Sequence, residues 1–140
     1  TDQIKSVAAG ECGVAVSNTY YLARLLRSEK PEDKRLMEQV TVIWPNQKSF
    51  GAHINISGGG MLKTAPHKES AVKFLEYLAG DDAQRYFADG NNEWPAVASV
   101  VVKNPALDAM GKFKADNLPV ATLAKNAAAA QRIYDRAGWK

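Results

Sequence analysis

The sequence predicts an α/β fold on three observations. At Asn18 the hydrophobic period switches from strand to helix: Val14, Ala15 and Val16 form a short β-prone run, and Leu22, Leu25 and Leu26 follow at helical spacing. Further β-prone runs at 40–44 and 51–57 alternate with segments of helical periodicity. Glycines and prolines (Gly10, Pro31, Pro45, Gly80) punctuate the chain where these segments should start or stop.

Taken in order, residues 1–9 carry Ile4, Val7 and Ala8 at helical spacing, and Gly10 closes that helix. Residues 13–16 are expected as a short buried strand, with Asn18 as the N-cap of the amphipathic helix after it. Pro31 suits a first helical turn, which places a short exposed helix over 31–40 with Leu36, Met37 and Val40 turned inward. The run 40–44 is a strand ended by Pro45, followed by a loop over 46–50. In 51–57, Ala52, Ile54 and Ile56 alternate with His53, Asn55 and Ser57, as in a strand with one polar face.

Gly58, Gly59 and Gly60 lack the Gly-Lys-Ser/Thr of a phosphate loop, so they are expected to serve a bend of positive φ or close backbone approach before Met61 and Leu62 resume a strand. The clearest helix is 66–79, with Ala71, Phe74, Leu75 and Leu78 as its apolar face and Gly80 as its stop. Asp81 or Asp82 then caps a second helix reaching Gly90, with Ala83, Tyr86 and Phe87 inward. A loop over 91–95, a β-prone segment at 97–102, a helix over 105–115 carrying Leu107, Met110 and Phe113, and a last helix over 121–137 complete the chain.

Composition narrows the function. Of 140 residues, 46% are hydrophobic and 24% charged, the balance of a globular domain. No apolar run approaches the roughly 20 residues of a membrane span. With neither an initiator Met nor a signal peptide, Thr1 reads as a processed or truncated start. The net charge of +3 comes from 18 basic residues interleaved with 15 acidic ones, without the basic stripe and stacking aromatics of a nucleic-acid binder. Cys12 is the single cysteine; it excludes an intrachain disulfide and leaves only a Cys-His nucleophile with His53 or His67 as a thiol chemistry. His53 and Glu93 are expected in structural roles, as is usual for such residues.

The corner at 17–21 is where chemistry concentrates. A helix start presents open N–H groups and the positive end of the dipole, and Tyr20 and Tyr21 stand in that field. A phenol ionises near pH about 10, so phenolate at neutral pH needs a cation beside it. A hard trivalent ion suits two oxygen donors, and tyrosinate is an established ligand of iron. The competing reading packs one ring in the core and leaves the other on the surface.

The stretch GECGVAVSNTYYLARL resembles the tyrosine motif of the bacterial ferric-iron-binding proteins, periplasmic substrate-binding components of iron ABC transporters. The later segment GAHINISGGGMLKTAPHKESAVKFLEYLAGDDAQRYFADGNNEWPAV is similar to that family's downstream region, with Asn-x-Ser-Gly and Asn-x-Glu-aromatic-Pro elements in place. The resemblance implies part of a type II periplasmic binding protein, two α/β lobes joined by crossover strands, and no enzyme activity. It implies Tyr20 and Tyr21 as ligands of Fe(III), Asn18 as a holder of a synergistic carbonate or phosphate, and delivery to an ABC permease in the periplasm.

Family members are about twice as long, and the match is to their C-terminal half. The implied arrangement puts 1–50 and 107–140 in the tyrosine-bearing lobe and 51–106 in the other. The missing N-terminal half would then carry the remaining ligands, a His, an acidic residue or further tyrosines, and without it the fragment is expected to self-associate. Two rivals stay open: a binding protein for a small organic anion without metal, using Asn18 and the helix start, and a Cys-His hydrolase.

Overall fold

A computed structural model describes residues 1–139; Lys140, counted above with the tyrosine-bearing lobe, lies outside them. The described residues form seven helices: α1 (Asp2–Ala8), α2 (Thr19–Leu26), α3 (Pro31–Met37), α4 (Lys68–Leu78), α5 (Asp81–Asn91), α6 (Pro105–Asp108) and α7 (Val120–Ala137). No helix among them is long and apolar enough to cross a membrane.

Two compact units emerge. The first comprises Thr1–Ile43 with Asn55–Lys112, the second Trp44–Ile54 with the described residues from Phe113 onward. Within the first unit, Arg27 of the tyrosine segment hydrogen-bonds directly to Asp89 and Asn92.

In the first unit, α2 packs against α3 and α6, α1 against α3, and α4 against α5. The buried hydrophobic residues are Ile4 on α1, Ala23 and Leu25 on α2, Ala83 and Ala88 on α5, Ala106 and Leu107 on α6, and Val100 and Met110 beside α6. Local chemistry fixes the ends. Gly10 takes φ +76 after α1, and Pro31 opens α3 at its first turn. Asp81 and Asp82 occupy the first turn of α5, favoured there by the dipole, and Arg85 pairs with both. Gln84 donates to Leu78 O at 2.8 Å and accepts from Ala96 N at 2.7 Å, which ties residue 96 to the α4–α5 junction.

The helical expectations are met with shifted faces. α5 buries its two alanines, while Tyr86 is 74% exposed and Phe87 is also exposed, against the inward roles expected of both. Small side chains let a helix approach its neighbours closely, so the tight face of α5 belongs to them and the rings lie at its margin. Phe74 on α4 is likewise exposed. The helix expected over 105–115 is a single turn, because Gly111 adopts φ +76 and the chain leaves helical geometry before Phe113. Gly58, Gly59 and Gly60 all lack positive φ; a Cβ on Gly59 would meet Leu75 Cδ2 at 2.9 Å, so close approach holds there alone.

The β-prone segments behave differently. Among the described residues, pairing is confined to one parallel bridge between Ala52 and Ala115, with Ala52 N donating to Lys114 O and Asp116 N to Ala52 O, each at 2.8 Å. Residues 13–16, 40–44, 61–62 and 97–102 have no ladder. Val14 and Val16, expected as buried, are each 77% exposed. A strand exists only through hydrogen bonds to a neighbour, and no described segment supplies one.

The second unit is built around that bridge. Trp44 stacks on Phe113 at 4.1 Å, and Gln47 exchanges hydrogen bonds with the Lys114 backbone, accepting from its N–H at 2.6 Å and donating to its carbonyl at 3.1 Å. Gly51 has φ +103, and a Cβ there would lie 2.7 Å from the Ala115 carbonyl and from Lys114 O. α7 closes with Gly138 at φ +65, its N–H bonded to Asp135 O.

Gly51→Ala is therefore expected to lower stability by about 1–3 kcal/mol from backbone strain, with further loss from the overlap. Gly58→Ala, at a position where a Cβ meets nothing within 4 Å, should be close to neutral. Urea denaturation of the two variants side by side checks this.

Candidate functional site

The site is the first turn of α2. Asn18 stands in extended geometry before it (φ −69, ψ 144) and so occupies the expected N-cap position. Its side chain makes no capping bond; the amide nitrogen instead donates to the Tyr20 hydroxyl at 3.3 Å. Asn18 thus leaves the positive end of the helix without a side-chain cap of its own, and it is exposed.

Tyr20 and Tyr21 are both half-buried, with ring centroids 4.3 Å apart and planes tilted by 45°. Consecutive helical residues point about 100° apart. In the first turn, however, there is no preceding turn to lie against, so the two long side chains lean together. Neither ring is sunk in a core. Arg24, one turn on, places its guanidinium carbon 5.9 Å from the centroid of the Tyr21 ring.

The proximity has an electrostatic cost. The Tyr21 phenol is held above its ordinary ionisation range, first by hydrogen bonding with Tyr20, then by charge interaction with Tyr20, then by burial; Arg24 opposes the shift. Two adjacent phenols resist ionising together. A multivalent cation reverses that preference, because it becomes the largest local charge and its ligands must shed their protons.

Two phenol oxygens are a hard-donor pair but not a complete coordination sphere. Among the described residues there is no group of three or more His, Cys, Asp or Glu placed to hold a metal. Glu93 is half-buried beside Asn92, and His53, His67 and Cys12 are exposed.

Sequence reasoning missed Arg27, Asn92 and Asn104, which lie behind α2. Asn104 was legible in principle: Asn followed by Pro is a helix-start pattern, and Asn104 Oδ1 accepts from Ala106 N at 3.0 Å and Leu107 N at 3.3 Å. The Arg27 contacts span more than 60 positions in sequence, and no local signal announces them.

Comparison with known proteins points in one direction. Residues 1–120 match the bacterial extracellular solute-binding protein family. The chain is 45% identical over its whole length to iron uptake protein A2 of Synechocystis, covering 41% of that protein. It superposes at a TM-score of 0.91 with a Trichodesmium FutA (IdiA) structure in complex with iron and citrate, with 50% identity over 99% of this chain and 44% of that one. A ferric binding protein from Campylobacter jejuni follows at a TM-score of 0.88 and 37% identity, over 99% of this chain and 44% of that one. The chain thus spans about two fifths of the length of the relatives it matches.

Tyr20→Phe removes the two largest causes that raise the Tyr21 phenol and leaves Arg24, which lowers it. In the metal-free protein the Tyr21 titration should therefore move to lower pH, with burial still raising it and Arg24 still lowering it. Ultraviolet difference titration of Tyr20→Phe against wild type measures the shift; an unmoved or higher midpoint would contradict the coupling.

Proposed function

This chain belongs to the bacterial extracellular solute-binding protein family, and on that premise we propose that it is part of a periplasmic protein that captures Fe(III) and delivers it to an ABC permease. The observation that carries the reading is the contact of two phenols at an uncapped helix start. Iron is the cargo, held by Tyr20 and Tyr21 as tyrosinates. Oxygen donors, the positive helix end and the absence of soft ligands at the corner all suit a hard trivalent ion with an accompanying anion.

Asn18 holds that anion. Its amide already reaches the Tyr20 hydroxyl, and it stands at the end of the helix where backbone N–H groups and the dipole favour negative charge. Carbonate or phosphate is the expected species; citrate, present in the Trichodesmium complex, is the third to test. No catalytic step is involved: the family binds solutes, and capture followed by release is sufficient.

The rest of the coordination sphere belongs to the N-terminal half that the relatives have in addition. In the type II architecture we assign 1–50 and 107–140 to the tyrosine-bearing α/β lobe and 51–106 to the other. Segments 13–16, 40–44 and 51–57 become strands when that half supplies their neighbours. Ligands from both lobes meet only on closure, so the ion stabilises the closed form by its differential affinity.

Full-length protein given Fe(III) should take on a red to orange colour from tyrosinate-to-iron charge transfer. Tyr20→Phe together with Tyr21→Phe should bleach it, and affinity should fall as pH is lowered, since protons compete for both oxygens. A colourless protein that still binds citrate would instead favour the organic-anion reading. The isolated chain should run as a dimer or larger by light scattering, because Val14, Val16 and Ile43 are each more than three-quarters exposed; a clean monomer would count against the missing-half assignment.

A further inference from the structure

Behind the tyrosine helix lies a cluster of polar side chains that the iron reading does not use. Arg27 follows the last residue of α2, and its Nη1 donates to Asp89 O at 2.7 Å and to Asn92 Oδ1 at 2.9 Å, with Asp89 Oδ1 at 3.3 Å. Asn92 caps α5 in left-handed geometry (φ 57, ψ 52) and is 5% exposed. Asn104, 2% exposed, donates from Nδ2 to Ala88 O and to the same Asn92 Oδ1, each at 3.2 Å, while its own Oδ1 caps α6.

The logic of the cluster is that of a helix end. The last four carbonyls of an α-helix have no partner within the helix, and the C-terminus carries partial negative charge. Two of those carbonyls on α5, from Ala88 and Asp89, are taken by Asn104 and Arg27. Both donors converge on Asn92 Oδ1. One knot therefore joins the end of α2, the end of α5 and the start of α6, and α6 also packs on α2.

We propose that Arg27 is a positioning residue for the tyrosine pair: through Asn92 and Asn104 it sets the bearing of α2, and thereby holds the two phenols as one donor pair. The inference rests on the iron reading. Arg27 lies six residues beyond Tyr21, about 9 Å along the axis at 1.5 Å per residue. Over that lever a tilt of about 6° moves the phenols by about 1 Å, whereas metal–ligand distances tolerate only about 0.2 Å. Ala23 and Leu25, in the second half of α2, are buried, and Arg27 continues that anchored end.

The side chain of Arg27 is 46% exposed, so its ion pair with Asp89 adds little to global stability. A merely structural role and a positioning role are thus separable. All three contacts use a single nitrogen, so a lysine ammonium can reproduce them where a methionine cannot.

The test uses full-length protein carrying fluorotyrosine at 20 and 21. In the metal-free state, Arg27→Met should shift or broaden both fluorine resonances at an unchanged melting temperature, and Arg27→Lys should return them to the wild-type positions. With Fe(III) and citrate, Arg27→Met should lose about 10- to 100-fold in affinity and shift the charge-transfer band, as second-shell changes do, with Arg27→Lys restoring both. Asn92→Gly keeps the left-handed backbone but removes the shared acceptor, so it should reproduce the methionine result; it decides the matter if Arg27→Met fails to fold. Resonances unmoved in Arg27→Met, or in Asn92→Gly where it stands in, would overturn the positioning role. If wild type binds no iron, the iron reading fails, and the metal-free fluorine comparison still settles what Arg27 does.

Discussion

An eight-residue helix cannot hold itself together in water, since isolated helices shorter than about 12–15 residues are marginal. Everything of interest here stands on such a helix. α2 exists because Ala23 and Leu25 are buried and because α3 and α6 pack against it, with Asn18 setting its entry. The tyrosine corner is therefore a product of tertiary packing, and its geometry is only as fixed as α6 and the end of α5.

The same arrangement sets up an electrostatic tension at the other end. Two phenols are pressed together where the helix presents partial positive charge, and the first effect of their contact is to make Tyr21 harder to ionise. Arg24 and the helix end pull the other way but carry single or fractional charges. A trivalent ion outweighs all of these. In the proposed iron reading, a bound trivalent ion turns the pair into two tyrosinate donors.

Much of this was legible in the sequence and some was not. The period switch at Asn18, Pro31 at a first turn and Gly80 between two helices are local signals, and the helices lie where those residues put them. The inward placement of Tyr86 and Phe87 failed because periodicity finds an apolar stripe but not which part of it meets a neighbour; Ala83 and Ala88 do. The helix past Leu107 failed because Gly111 adopts positive φ, which spacing of apolar residues does not reveal. At the site, the adjacency of Tyr20 and Tyr21 is trivially in the sequence and their ring contact follows from first-turn geometry, while the Arg27 knot depends on residues more than 60 positions away.

The unpaired β-prone segments follow the same physics. Val14 and Val16 sit two residues apart, the repeat that puts side chains on one face of a strand, and both are exposed together with Ile54 and Ile56. A run with that pattern and that exposure has the composition of an interior strand without the company of one. The one bridge that does form, Ala52 to Ala115, occurs where Gly51 lets two backbones touch and where both partners are present in this chain. Pairing thus appears wherever a partner is supplied and is absent elsewhere. The helices of this chain carry their own start and stop signals, whereas a β-prone run needs a neighbour, which in the proposed two-lobed protein is the same N-terminal half that completes the iron site.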